Sequence, residues 1–319
     1  MQYASFLPLN CGGSKSIFVE TSSIPISSDA GLLPFCALDA ELGFTQQFAD
    51  ALVEWRHPGY LKHTILEMVR ARIFGIMADY SDQNDHDVLR SDPIFKLICT
   101  GSTEGEDLAS QPTHSRLENS VAPQSFFRLQ DAFLDQFIAS FPTPPKYLTL
   151  DIDPFDDPAH GQQQLTFFHG YYDQNQYLPR VITCAENDLV LTVCLLHGTA
   201  HATLGAQDDL AYVVGRLREV WPDVQIHLRG DSAFGTPTMY EACEELRIDF
   251  TLGIGMNAKL KKASDLLLAE AVAQWEATGE TQRLFMGIMY QAESWSKPRW
   301  VIIKCEANAQ GNRSHPGEQ

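Results

Sequence analysis

The sequence has few basic residues, no paired cysteines and no long apolar run, and each lack excludes a class of protein. No segment approaches the roughly 20 consecutive apolar residues that a membrane-spanning helix needs. Met1–Asn10 lacks the charged region and apolar core of a signal peptide. The seven cysteines form no Cys-x-x-Cys pair, which indicates reduced thiols rather than disulfides or a zinc cluster. We therefore expect a soluble, cytoplasmic protein with no membrane partner.

The charge balance and the missing ligand motifs narrow the function further. The chain has 41 acidic residues against 23 Lys and Arg, a formal net charge of −18, so nucleic acid would have to be held by local basic patches. Gly253-x-Gly255 does not fit a phosphate-binding glycine loop. The acids that begin at Asp82 lack the glycine and glutamate of a calcium loop, and His197-x-x-x-His201 lacks the glutamate of a zinc-binding helix.

Residues 31–145 are predicted to be mainly helical. Apolar residues recur at three- and four-residue spacing from Ile65 to Ile76 and again from Phe126 to Ile138, which is typical of helices that bury one face. A core role is the simpler interpretation of this pattern. Arg70 and Arg72 leave a second interpretation open, a helix face that contacts DNA phosphates.

Phe141-Pro-Thr-Pro-Pro145 separates this helical region from a part with a different pattern. Three prolines in so short a stretch cannot continue a helix and favour an extended connection. From residue 146 onward, strand-like runs alternate with helix-like runs, which indicates an α/β fold with parallel strands. A domain boundary is therefore predicted near Pro145. The polar, unpatterned residues 308–319 are predicted to be disordered.

Two predicted strands in the α/β part end in carboxylates. In the run from Tyr147 to Asp153, Asp151 and Asp153 share one face, while two leucines and an isoleucine share the other. A second strand begins at Val224 and ends in Asp231. Hard cations such as Mg²⁺ prefer carboxylate oxygens, and neighbouring strand ends meet at one sheet edge. The acids are therefore candidate metal ligands, although each alone also fits a plain turn or helix cap.

Five segments of the sequence carry a resemblance to a known family. They are Asn84–Pro93, Leu108–Thr113 with Arg116, Glu118 and Asn119, Leu150–Asp153 with Asp156–Gly161, Phe167–Asp173 and Leu228–Phe234. Together they resemble the group-1 DDE transposases of bacterial insertion sequences, of the 1380 type. Several of the segments are long, so the resemblance is more specific than any short motif.

The resemblance implies a fold, a reaction and partners. The fold would be α/β, with a ribonuclease-H-like mixed sheet flanked by helices and a mainly helical N-terminal domain before it. The enzyme would be a Mg²⁺-dependent nuclease and strand transferase, with Mn²⁺ as a substitute ion. It would cut transposon ends and join them to target DNA. Its partners would be double-stranded DNA, as terminal inverted repeats and target, and a second copy of the chain as a homodimer in the DNA complex.

The family uses two aspartates and one glutamate as metal ligands, and the chain matches only the aspartates. The second aspartate maps onto Asp231. The first maps onto Asp153, with Asp151 as a rival because the proline after Asp153 departs from the family pattern. Neither Glu306, in a strand-like run, nor Glu318, in the polar tail, matches the glutamate. The resemblance therefore implies a copy truncated or decayed at its C-terminal end, with an incomplete catalytic fold and with strand transfer in question.

The resemblance also gives each predicted segment a role. The segments are a flexible or strand-like stretch at 1–30, a DNA-binding or dimerisation region at 31–145, a catalytic core at 146–256, the start of an inserted helix and β segment at 257–307, and a disordered tail at 308–319. Two alternatives stay open. One is a non-catalytic DNA-binding or dimerising fragment that regulates transposition, and the other is a metal-dependent nuclease unrelated to transposition.

Overall fold

The computed structural model describes residues 7–9, 17–19, 27–161, 163–170 and 173–318. The chain divides into two compact units, residues 1–132 and 133–319. This division falls inside the helix Pro123–Ala139 rather than at the prolines before residue 146. Two tyrosines of the family-like segments, Tyr171 and Tyr172, lie outside the described residues. Among the described helices, none is long and apolar enough to cross a membrane.

The first unit is helical, as predicted, apart from a short antiparallel strand pair. The elements are β1 (Leu7–Leu9), β2 (Ile17–Val19), α1 (Leu33–Leu42), α2 (Phe44–Ala51), α3 (Ile65–Met77), α4 (His86–Leu89), α5 (Pro93–Thr100) and α6 (Gln111–Asn119), and the helix α7 (Pro123–Ala139) leads into the second unit. Local sequence explains the helix starts. Thr64 and Glu67 form a capping box before α3, and the Asp92 carboxylate accepts two backbone N–H groups at the start of α5.

Two histidines are buried together in this helical unit. His86 of α4 and His114 of α6 stack with their ring centroids 4.1 Å apart and 24° between the ring planes. They are 2 % and 1 % exposed, and neither Nε2 atom has a hydrogen-bond partner among the described residues. Burial, followed by the electrostatic influence of His86, Arg72 and His63, lowers the pKa of His114 to about 3. Burial likewise lowers the pKa of His86, so the stack is neutral near pH 7.

The arginines that the sequence left open as phosphate contacts are engaged inside the helical unit. Arg70 donates from Nε to the Thr45 hydroxyl at 3.2 Å. Arg72 donates from Nε to Glu118 at 3.0 Å and from Nη2 to the Ser81 carbonyl oxygen at 2.9 Å. These contacts favour the interpretation of α3 as a helix that packs within its own unit.

The second unit contains one large mixed sheet. Its strands are β3 (Tyr147–Pro154), β4 (Asp157–Pro158), β5 (Phe167–His169), β6 (Gln174–Cys184), β7 (Val190–His197), β8 (Gln225–Gly230), β9 (Asp249–Gly253), β10 (Gln282–Tyr290), β11 (Arg299–Asn308) and β12 (Gly311–Glu318). The order is β10-β11-β12-β9-β8-β3-β6, and β7 lies beyond β6, with the short β4 and β5 also on β6. Among the described strand pairs, only β3 with β8 and β8 with β9 are parallel. This mixed sheet confirms the predicted fold class.

Helices α8 (Ala206–Val220), α9 (Pro237–Leu246) and α10 (Ala258–Thr278) belong to the same unit and share its core. Alternation within β3 buries Leu148, Leu150 and Ile152, as the period-two pattern predicts. In α8 the buried residues recur at helical spacing: Leu210, Val213, Val214 and Leu217. Burial of these apolar side chains contributes the main stabilisation of the unit.

A buried arginine connects β6 to the loop before α8 and to α8 itself. Arg180 is 1 % exposed. Its Nη1 donates to the carbonyl oxygens of Ala202 at 2.6 Å and Leu204 at 2.8 Å, and its Nη2 donates to the Asp209 carboxylate. A buried charge is costly unless it is paired and hydrogen-bonded, and this network meets that need while connecting β6 to the first turn of α8.

The structure corrects the prediction of a disordered tail at 308–319. Residues Gly311–Glu318 form β12, which pairs antiparallel with β11 along its length and with β9 at Gly317 and Glu318. The turn between the strands fits its residues, because Gly311 has φ +135° and the Asn308 side chain accepts from the Gln310 N–H at 2.8 Å. Strand pairing uses backbone groups, so a polar segment without an apolar pattern can still complete a sheet.

Candidate metal centre

Asp153 and Asp231 occupy corresponding positions at the ends of two neighbouring parallel strands. The parallel register of β3 and β8 pairs Asp151 with Arg229 and then Ile152 with Gly230. Asp153 is the next residue of β3, and Asp231 is the residue directly after β8. Both residues are accessible to solvent. The topology therefore brings the two predicted acids to one edge of the sheet, as the sequence led us to expect.

The electrostatics of Asp153 reflect its acidic neighbours. Partial burial raises the pKa of the Asp153 carboxyl, and the negative charges of Asp231 and then Asp151 raise it further. Like charges at one point disfavour the ionised form unless a cation offsets them. Two charged oxygen donors at the ends of adjacent strands fit a hard divalent cation such as Mg²⁺ or Mn²⁺.

Asp151 is held by a different partner. Arg229 Nε donates to its Oδ1 at 2.7 Å, and Arg229 Nη2 donates to its Oδ2 at 2.6 Å. Both carboxylate oxygens of Asp151 are therefore engaged by one guanidinium, in the bidentate arrangement that arginine favours. Asp153 has no such cation among the described ion pairs. The geometry favours Asp153 over its rival Asp151 as the first metal ligand.

The simpler roles considered for these acids do not account for all of them. The cap of α9 is Thr236, whose hydroxyl accepts from the Met239 N–H, and not Asp231. Asp231 Oδ1 accepts from the Ala233 N–H at 2.9 Å, so one of its oxygens supports a turn. Asp156 accepts from the Gln174 side chain at 2.9 Å, consistent with a structural role in the loop after β3.

Gly235 and Gly253 allow close backbone packing around the loop that follows Asp231, because neither has a Cβ atom. A Cβ atom on Gly253 would lie 2.7 Å from the Ser232 nitrogen and 3.0 Å from the Asp231 carbonyl carbon. A Cβ atom on Gly235 would lie 2.1 Å from the Gly253 carbonyl oxygen. Any larger residue at either position would displace backbone. The sequence carries no local signal for this role, because the contact joins Gly253 of β9 to a loop that follows a different strand.

No third ligand completes the pair within the described part of the chain. Among those residues, no group of three or more His, Cys, Asp or Glu side chains lies close enough to hold a metal ion. Glu306 pairs with Arg283 at 2.9 Å and Lys304 at 2.7 Å, and these hydrogen bonds lower its pKa to about 2. The Glu318 side chain lies outside the described residues. His197 and His201 each contact a nearby threonine.

The comparisons with known proteins place the chain in a family. Residues 9–315 match the family described as transposase DDE domain, group 1, and the chain belongs to this family. Among solved structures, it is similar to a piggyBac transposase in a synaptic complex with hairpin DNA, determined by cryo-EM. The two share 13 % sequence identity with a TM-score of 0.47, and the similarity covers 89 % of this chain and 60 % of that one. No curated protein matches significantly.

Proposed function

We propose that the chain is a DNA transposase of a 1380-type bacterial insertion sequence. In this proposal it cleaves transposon ends and transfers the strands to target DNA with Mg²⁺, or Mn²⁺ in its place. The observation that carries the proposal is the position of Asp153 and Asp231 at adjacent strand ends, in a chain that matches the family over residues 9–315. We assign catalysis to residues 146–256 and DNA binding or dimerisation to residues 31–145.

The side chains of the site have distinct parts in this proposal. Asp153 and Asp231 would hold the divalent cation, and the turn that Asp231 makes with Ala233 orients its carboxylate. A bound ion supplies Lewis acidity, which activates an attacking oxygen and stabilises a leaving one. Asp151 stays paired with Arg229 outside the ligand set. The close packing at Gly253 keeps the Asp231 backbone in place beside β9.

A local basic patch supports DNA as the partner despite the acidic chain. Lys259, Lys261 and Lys262 are exposed in the first turns of α10. This helix starts shortly after β9, which runs parallel to β8 and so ends at the sheet edge where Asp231 lies. Lysines at this edge are suited to contact phosphates near the acid pair.

The test uses DNA that carries the terminal inverted repeats flanking the gene. We expect Mg²⁺-dependent nicking at the repeat ends by the wild-type chain and loss of nicking in Asp153→Asn and Asp231→Asn. The matched control is Asp156→Asn, which changes a neighbouring acid engaged by Gln174 and should nick normally. Equal nicking by the wild type and Asp231→Asn would refute the site assignment.

Two binding measurements on the same DNA separate the alternatives. Replacement of the three α10 lysines by Gln should weaken binding and make it less sensitive to salt, because fewer counterions are released. Light scattering of the complex should give two copies of the chain. Repeat-specific binding without any nicking would instead support the non-catalytic regulatory fragment, and nicking without repeat preference would support an unrelated nuclease.

A further inference from the structure

The Asp151–Arg229 pair lies beside the candidate metal site without belonging to it. We propose that Arg229 is a positioning residue that holds Asp151 out of the ligand set, while Asp151 cancels the positive charge that Arg229 would otherwise present to the cation. The pair would thereby set the charge around Asp153 and Asp231. This inference rests on the proposed function, because it concerns the same metal site.

Strand geometry makes the pair a neighbour of both acids. Asp151 precedes Asp153 by two residues on β3, and Arg229 precedes Asp231 by two residues at the end of β8. Two residues along a strand return to the same face, at a separation of about 7 Å. Asp151 and Arg229 are also registered directly opposite each other. The ion pair therefore lies on the same sheet face as the acid pair, two residues earlier along each strand.

Stability alone gives little reason for this pair. The Arg229 side chain is 51 % exposed and the Asp151 side chain 36 % exposed, and ion pairs with such access to water contribute little to folding. Its geometry is nevertheless bidentate, with donor–acceptor distances of 2.7 and 2.6 Å. What distinguishes the pair is its position, because removing either charge leaves the other uncompensated next to a cation site.

The two single charge removals should act in opposite directions. In Asp151→Asn, Arg229 remains as an unpaired cation about 7 Å away, so affinity for Mn²⁺ should fall by about tenfold. In Arg229→Gln, Asp151 remains as a free carboxylate at a similar distance, so affinity for Mn²⁺ should rise by about tenfold. In the double variant neither charge remains, and affinity should return to within about threefold of the wild type.

The experiment measures Mn²⁺ binding to the full chain without DNA, from the electron paramagnetic resonance signal of free Mn²⁺. The matched control is Arg283→Gln with Glu306→Gln, which removes another exposed pair between registered residues, on β10 and β11. This control should bind Mn²⁺ as the wild type does. Urea unfolding of every variant should have the same midpoint within error, which separates a charge effect from a loss of structure.

The outcomes distinguish this inference from the proposed function. A double variant as weak as Asp151→Asn would identify Asp151 as a ligand and overturn the inference. Unchanged affinity in Asp151→Asn would also overturn it, provided that Asp231→Asn abolishes binding. A wild-type chain that binds no Mn²⁺, or binds it equally well with Asp231→Asn, would refute the proposed metal site and the inference together.

Discussion

Acid should destabilise the helical unit through the buried His86–His114 stack. The unfolded chain takes up a proton on His114 as the pH falls through its ordinary pKa of 6.5, whereas the folded chain does so only near pH 3. The unfolded state therefore binds more protons between these values, so stability falls as the pH falls. The contribution is fully present above pH 6.5 and is lost progressively toward pH 3.

The size of this effect follows from the two pKa values. Each pKa unit corresponds to about 1.4 kcal/mol, so at pH 5 the free energy of unfolding of the helical unit should be about 2 kcal/mol lower than at pH 7 from His114 alone. The lowered pKa of His86 acts in the same direction. Because a small domain has about 5–15 kcal/mol in total, a change of this size is easily measured.

Urea unfolding followed by fluorine NMR of fluorotryptophan isolates the helical unit. Trp55 is the only one of the five tryptophans in the first unit, and its signal is assigned with Trp55→Phe. In His114→Leu the loss between pH 7 and pH 5 should shrink by about 2 kcal/mol, while replacement of the exposed His57 by Asn should leave it unchanged. An equal pH dependence in wild type and His114→Leu would refute the reasoning.

Two further predictions concern the second unit. Arg180→Met should lower the free energy of unfolding of this unit by about 3–5 kcal/mol in a urea titration, because Asp209 and two carbonyl groups lose a buried partner. The control Arg216→Met removes an arginine paired with exposed acids and should cost about 0–1 kcal/mol in the same titration. Gly253→Ala should weaken Mn²⁺ binding because its Cβ would displace the Asp231 loop, whereas Gly255→Ala, with nothing within 4 Å of the added Cβ, should bind normally. A loss of stability in Arg216→Met as large as that in Arg180→Met would contradict the first explanation, and normal Mn²⁺ binding by Gly253→Ala would contradict the second.

The chain belongs to the transposase DDE family and has two aspartates at adjacent strand ends, but no third metal ligand is assigned in the proposed site. In the proposed site the two aspartates would supply oxygen donors for one divalent ion, and among the described residues no third acid joins them. Metal binding by the chain and nicking by the chain are therefore separate questions. The Mn²⁺ titration answers the first and the terminal-repeat assay answers the second.

The sequence by itself determined the features that depend on local periodicity. Alternation predicted the buried face of β3, three- and four-residue spacing predicted α8, and both follow because a side chain's face is set by its own strand or helix. The α/β class and the helical first unit were predicted in the same way. The assignment of Asp153 and Asp231 as metal ligands stays a prediction, which the Mn²⁺ titration tests.

The contacts between residues that are distant in the sequence were determined only by the tertiary structure. Asp151 and Arg229 are 78 residues apart, and their pairing depends on the register of β3 against β8, which neither strand encodes alone. Gly253 approaches Asp231 only because β9 is the next strand in the sheet. The polar C-terminal segment forms β12 because its backbone N–H and C=O groups pair with those of β11 and β9. These contacts depend on backbone pairing between distant segments, so the local pattern of side chains does not predict them.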